Sequence, residues 1–97
     1  MTHRPDRSLG EKVVAVVVTF NRLALLQRLV ERLGEVTELD EVLVIDNAST
    51  DGTGGWLATV TTTGETPVHH RTLATNRGGA GGFHDGLAWA MERDADL

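Results

Sequence analysis

Ninety-seven residues with no cysteine, and nine Lys+Arg against 14 Asp+Glu for a formal charge of -5, bound one small domain or a piece of a larger one. They exclude disulfides and thiolate metal sites and argue against a general nucleic-acid binder. The opening MTHRPDRSLGEK has no apolar signal core, and the run Val13 to Phe20 is far short of the roughly 20 residues of a membrane span, so a cytoplasmic chain is expected.

Residues 1–11 read as a polar leader and 12–97 as the domain. KVVAVVVT (Lys12 to Thr19) is β-branched and uninterrupted, as in a parallel strand buried on both faces. FNR breaks it. In LALLQRLVERLG, Leu26, Leu29, Val30 and Leu33 follow helical spacing, and Gly34 is the expected stop. EVLVID (Glu41 to Asp46) is a second buried strand, STDGTG a turn and GWLATVTT a short helix. PVHHRTLA (Pro67 to Ala74) is a third strand. After a glycine cluster, Phe83, Leu87, Ala90 and Met91 again recur at helical spacing.

The order β-α-β-α-β-α predicts an α/β fold with a parallel, Rossmann-like sheet and right-handed crossovers. Ligands of such sheets bind beyond the carboxyl ends of the strands. TFNR, DNASTDG and TNRGGAGG all fall at those ends.

DNASTDG fits a loose calcium-loop spacing, but its twelfth position is Ala58 and a strand precedes it, so calcium is rejected. Asn47-Ala48-Ser49 is a glycosylation sequon on a chain with no visible secretory route. Ser49 or Asp51 is expected to cap the following helix, with Gly52 in the turn. Asp46 ends an apolar strand at the rim, where a carboxylate can accept a hydrogen bond from a nucleobase N–H or a ribose hydroxyl.

TNRGGAGGFHDG satisfies neither G-x-G-x-x-G nor a P-loop. Its glycines let backbone N–H groups approach an anion at a helix N-terminus, and Arg77 can add a forked contact to a diphosphate; a plain strand-to-helix linker explains the glycines equally. Thr19 can offer its backbone to a planar ligand, and Asn21 is expected to cap the first helix. His69 and His70 point to opposite faces of a strand and cannot chelate one metal together. His84 and Asp85 are expected in surface or capping roles, Trp56 and Trp89 in the core.

Taken in order, VVAVVVTFNR, VLVIDNASTDGT and TNRGGAGGFHDGLAWAMERDADL resemble the N-terminal half of a family 2 glycosyltransferase of the GT-A fold, over Lys12 to Leu97. NRGGAGGF is most similar to bacterial galactofuranosyltransferase- or rhamnosyltransferase-type members. The resemblance implies a UDP- or dTDP-sugar donor and a cell-envelope glycan or lipid-linked acceptor. It implies that Thr19 and the Phe20, Asn21 and Arg22 backbone flank the base, and that Asp46 bonds its imide N–H with Asn47 nearby. Asn76, Arg77 and Gly79 would line the donor diphosphate.

The family's D-x-D-type metal motif would follow MERDADL, so no catalytic or metal residue is assigned within 1–97. No cofactor is expected for this chain alone, and a divalent cation, Mg or Mn, is expected for a full-length parent at the inner face of the membrane. The chain thus reads as a truncated product or fragment, inactive by itself. Marginal stability or self-association through an uncovered sheet edge is expected. The rival is a small non-catalytic α/β nucleotide-binding or regulatory domain. A receiver-like version of it would want an acidic cluster and a lysine at the rim, where this chain has one candidate Asp and its single lysine is Lys12.

Overall fold

Two valine-rich runs lie side by side in the computed structural model, which describes residues 12–95; the leader assigned to 1–11 lies outside the described residues. They are β1 (Val14–Thr19) and β2 (Glu41–Asp46), joined by helix α1 (Leu23–Leu33). Helix α2 (Thr53–Leu57) leads to the two-residue β3 (Thr62–Thr63), then β4 (Thr66–Thr72) and helix α3 (Gly78–Ala95). The sheet order is β1-β2-β4-β3, with β1, β2 and β4 parallel and β3 antiparallel to β4. The alternating α/β reading holds, and β3 is the one strand the sequence pattern did not disclose. Gly64 (φ 60°) turns the β3–β4 hairpin, close against Gly34 at the end of α1.

Every residue of β2 is buried, as a strand covered on both faces must be. Val42 and Val44 face one layer, packing with Leu26 and Val30 of α1, Leu57 and Val68. Leu43 and Ile45 face the other, packing with Trp89 of α3. The register aligns Thr19, Asp46 and Thr72 across three strand ends, forming one rim.

Two core expectations are corrected. Leu29 is 41% exposed, since Leu26 and Val30 define the buried stripe of α1. Phe83, Leu87 and Met91 are also exposed, because α3 approaches the sheet through its glycines. A Cβ on Gly86 would lie 2.5 Å from Val16 Cγ1, and one on Gly82 would lie 2.7 Å from Val18 Cγ1. Trp89 is buried as expected, while Trp56 is only partly covered against the first core.

Candidate functional site

Three loops leave the rim, and polar side chains tie each to the next. Asn21 adopts a left-handed backbone (φ 49°) after β1. Its backbone N–H donates to Ser49 Oγ at 2.9 Å, and its Oδ1 accepts from the Thr50 N–H at 2.7 Å. Asn21 therefore does not cap α1 as expected. That role falls to Asp51, whose Oδ2 accepts from the Leu23 N–H at 3.1 Å, while its Oδ1 accepts from the Thr53 N–H and hydroxyl. One carboxylate thus serves the first turns of two helices. The Thr53 hydroxyl, with the Leu23 and Thr53 N–H groups, holds its pKa below the ordinary 3.8.

Asn47 makes the second tie. Its side-chain amide donates to the Gly78 carbonyl at 2.9 Å and accepts from the Arg77 N–H at 2.8 Å, clamping the glycine loop. Gly78 takes φ 73° there, and its N–H is accepted by Asn76 Oδ1. The following residues open α3, whose first-turn N–H groups have no partners within the helix. Arg77 carries its guanidinium to Asp85, 3.4 Å away, so an anion at this loop would compete with Asp85 for it.

Between α1, the open side of β1 and the glycine loop lies a cleft of about 360 Å³. Thr19, Phe20, Arg22, Asn47, Asn76 and Gly79 border it, with Leu25 and Leu29 forming its apolar wall. Phe20 is 44% exposed, leaving an aromatic face available at its mouth. The structure thus gathers most of the residues singled out by sequence at one cavity, a mostly apolar concavity with a few convergent polar groups.

Asp46 is placed differently. It is fully buried beneath the DNAST turn and does not border the cleft; its Oδ1 accepts from the Ser49 N–H at 3.0 Å. Its Oδ2 is buried with no hydrogen-bond partner, and lies 3.5 Å from where a Cβ on Gly54 would stand. A buried carboxylate oxygen without a donor is costly, and it is the clearest unmet hydrogen-bonding demand at the rim. Sequence reasoning missed the cross-loop partners of Asn21 and Asp51. No local signal could reveal them, because the partners lie 28 to 29 residues away.

Among the described residues no three His, Asp or Glu side chains converge on a point that could hold a metal ion. His69 and His70 do not act as a pair: His69 turns to Arg93, with Nε2 3.2 Å from its guanidinium. No helix among the described residues is long and apolar enough to cross a membrane.

A family model described as glycosyl transferase family 2 matches residues 14–93. An undecaprenyl-phosphate mannosyltransferase of Micrococcus luteus is 34% identical over 87 residues, which cover 89% of this chain and 35% of that protein. The chain therefore spans about a third of that relative's length. No solved structure matches it.

Proposed function

The chain belongs to glycosyl transferase family 2, and from that premise we propose that it supplies the donor-holding part of an enzyme transferring a sugar from a UDP- or dTDP-sugar to a cell-envelope or lipid-linked acceptor. The observation that carries this reading is the convergence of Thr19, Phe20, Arg22, Asn47, Asn76 and Gly79 on one cleft at the carboxyl rim. A base would lie against Phe20 and the Thr19 backbone. The diphosphate would run toward the first turn of α3, where N–H groups and Arg77 favour negative charge.

Asp46 Oδ2 is the acceptor assigned to the base. It has no other donor, and a small movement of the Ser49 turn would open it to an imide N–H. A lipid-linked acceptor is supported by the name of the Micrococcus luteus relative, which joins undecaprenyl phosphate to mannosyl transfer. The NRGGAGGF segment supports galactofuranosyl or rhamnosyl transfer instead, so the sugar is left to a donor screen. A divalent cation, Mg or Mn, belongs to this reading only for the whole enzyme; the described residues form no cluster to hold one.

The test is calorimetric titration of the chain with UDP, dTDP, GDP and ADP, repeated on Asp46→Asn with its fold checked by circular dichroism. A charge-assisted hydrogen bond is worth about 1.5–3 kcal/mol, so Asp46→Asn is expected to weaken UDP or dTDP binding by roughly tenfold or more. Preference for GDP would move the donor to a guanine nucleotide. Equal binding of all four, unaffected by the substitution, would remove the base-reading role of Asp46.

A further inference from the structure

Arg77 is the single charged residue of the glycine loop, 76–82, yet its guanidinium stands outside the cleft. Asn76, Gly78 and Gly79 on either side of it border the cavity, and Arg77 does not. Its side chain instead runs back along α3. A Cβ on Gly81 would lie 2.8 Å from Arg77 Cβ and 3.7 Å from its Nε, so this glycine leaves open the track that the side chain follows. The track ends at Asp85, one turn beyond Gly81 on the same flank of the helix, where Arg77 Nη1 lies 3.4 Å from Oδ2. That oxygen is shielded from solvent and makes no hydrogen bond, so the nearby guanidinium is what offsets its burial.

Arg77 can change partner at little cost. Asn47 holds its backbone N–H, so the side chain turns about its own bonds while the loop stays in place. The contact with Asp85 is an ion pair without hydrogen-bond geometry, and the Arg77 side chain is 55% exposed, which puts the pair among the weak ones. A phosphate offers the guanidinium forked, charge-assisted hydrogen bonds, and the N-terminus of α3 attracts the same anion. In a contest between the two, the phosphate wins.

We propose that Asp85 is a positioning residue that holds Arg77 beside α3, and that a diphosphate must draw the guanidinium from it. The inference rests on the donor-cleft reading above and adds a control of that site. Asp85 never touches the donor; it competes with the diphosphate for Arg77, and so lowers affinity for the diphosphate while leaving the nucleoside alone. A carboxylate that merely repelled the donor would act whether or not Arg77 were present. A double-mutant cycle separates the two.

Titration of the chain with UDP and with uridine tests this on wild type, Asp85→Asn, Arg77→Gln and the double variant, with the Arg77 Nε–H resonance followed by NMR. Asp85→Asn is expected to bind UDP about two- to fivefold more tightly, the worth of a half-exposed ion pair. Arg77→Gln should weaken UDP binding, and adding Asp85→Asn to it should change nothing further. Uridine affinity should be level throughout. The Nε–H resonance should shift in Asp85→Asn and, in wild type, on addition of UDP, with backbone amide spectra showing that each variant keeps the fold. A gain from Asp85→Asn that persists without Arg77, weaker UDP binding in Asp85→Asn, or an Arg77 resonance that ignores bound UDP would overturn the exchange and leave the donor cleft standing. No UDP binding in any variant would overturn the donor reading and the exchange with it, even where the Arg77 resonance still responds to Asp85→Asn.

Discussion

Asn47 shows how one side chain can build a site without touching a ligand's reactive end. Its amide imitates a strand neighbour, giving an N–H to Gly78 and an oxygen to the Arg77 N–H, and so fixes where α3 begins. It is only 2% exposed, so removing it leaves two backbone groups partly unsatisfied. Asn47→Ala is expected to cost about 2–3 kcal/mol, read from urea unfolding, and to raise hydrogen exchange selectively at residues 76–81. Asn47→Asp should be nearly as harmful, since a carboxylate cannot donate to the Gly78 carbonyl. Exchange that rises evenly across the chain would mean that Asn47 stabilises the fold without organising the loop. The sequence put Asn47 at the rim through its neighbour Asp46 but could not indicate its partners, about 30 residues away. For Asp46 the position at a strand end was legible and the direction of the side chain was not. Period-two alternation assigns a face, and whether that face opens to a cleft or lies under a turn depends on the loop above it.

At the scale of elements, α3 seats by absence of side chain. Val16 Cγ1 stands 2.5 Å and Ile45 Cγ1 3.3 Å from where a Cβ on Gly86 would lie, whereas nothing lies within 4 Å at Gly79. Gly86→Ala must therefore lift the helix or displace two core side chains, and overpacking of this kind costs about 1–3 kcal/mol. Gly79→Ala meets open space and should be neutral or slightly stabilising, through the better helix propensity of alanine. Comparing the two thermal midpoints separates packing from propensity; equal midpoints would count against the close approach of α3. The same glycines explain why the apolar repeat in α3 pointed to the wrong stripe. Periodicity finds the apolar face, and a helix that buries glycine presents its apolar residues on its flank. β2 and α1 were legible because their burial is made of Val, Ile and Leu; β1 was legible as a strand, but it is half-buried among the described residues and not covered on both faces as expected. The β3–β4 pairing was not legible, because β3 is only two residues long and Thr62 closed the stretch GWLATVTT read as a helix, which in the structure ends at Leu57.

Over the whole molecule, the two ends of the sheet are held by different chemistry. At the carboxyl rim the ties are amide and hydroxyl hydrogen bonds around Asn21, Asn47 and Asp51. At the other end Glu41, 3% exposed, draws Lys12 to 2.6 Å and Arg93 to 2.5 Å, with His69 Nε2 at 3.7 Å. This one carboxylate connects the residues leading into β1 with β2, β4 and the last turns of α3. Burial alone would raise its pKa, but the hydrogen bonds and charges of Lys12 and Arg93 outweigh that and hold it below the ordinary 4.5. A carboxylate whose pKa is lowered in the fold contributes its full stability above the unfolded pKa, and loses it as pH falls through the folded value. Glu41 and Asp51 both have that sign. The thermal midpoint should therefore stay level from neutral pH to about 5 and fall steeply below about 4. Glu41→Gln is expected to cost about 1–3 kcal/mol at pH 7, between the values for exposed and buried pairs, and to flatten only part of the acid slope, leaving the share from Asp51. An acid limb as steep in Glu41→Gln as in wild type would show that charges at the lower end of the sheet do not set its acid stability, and would shift that role to the rim.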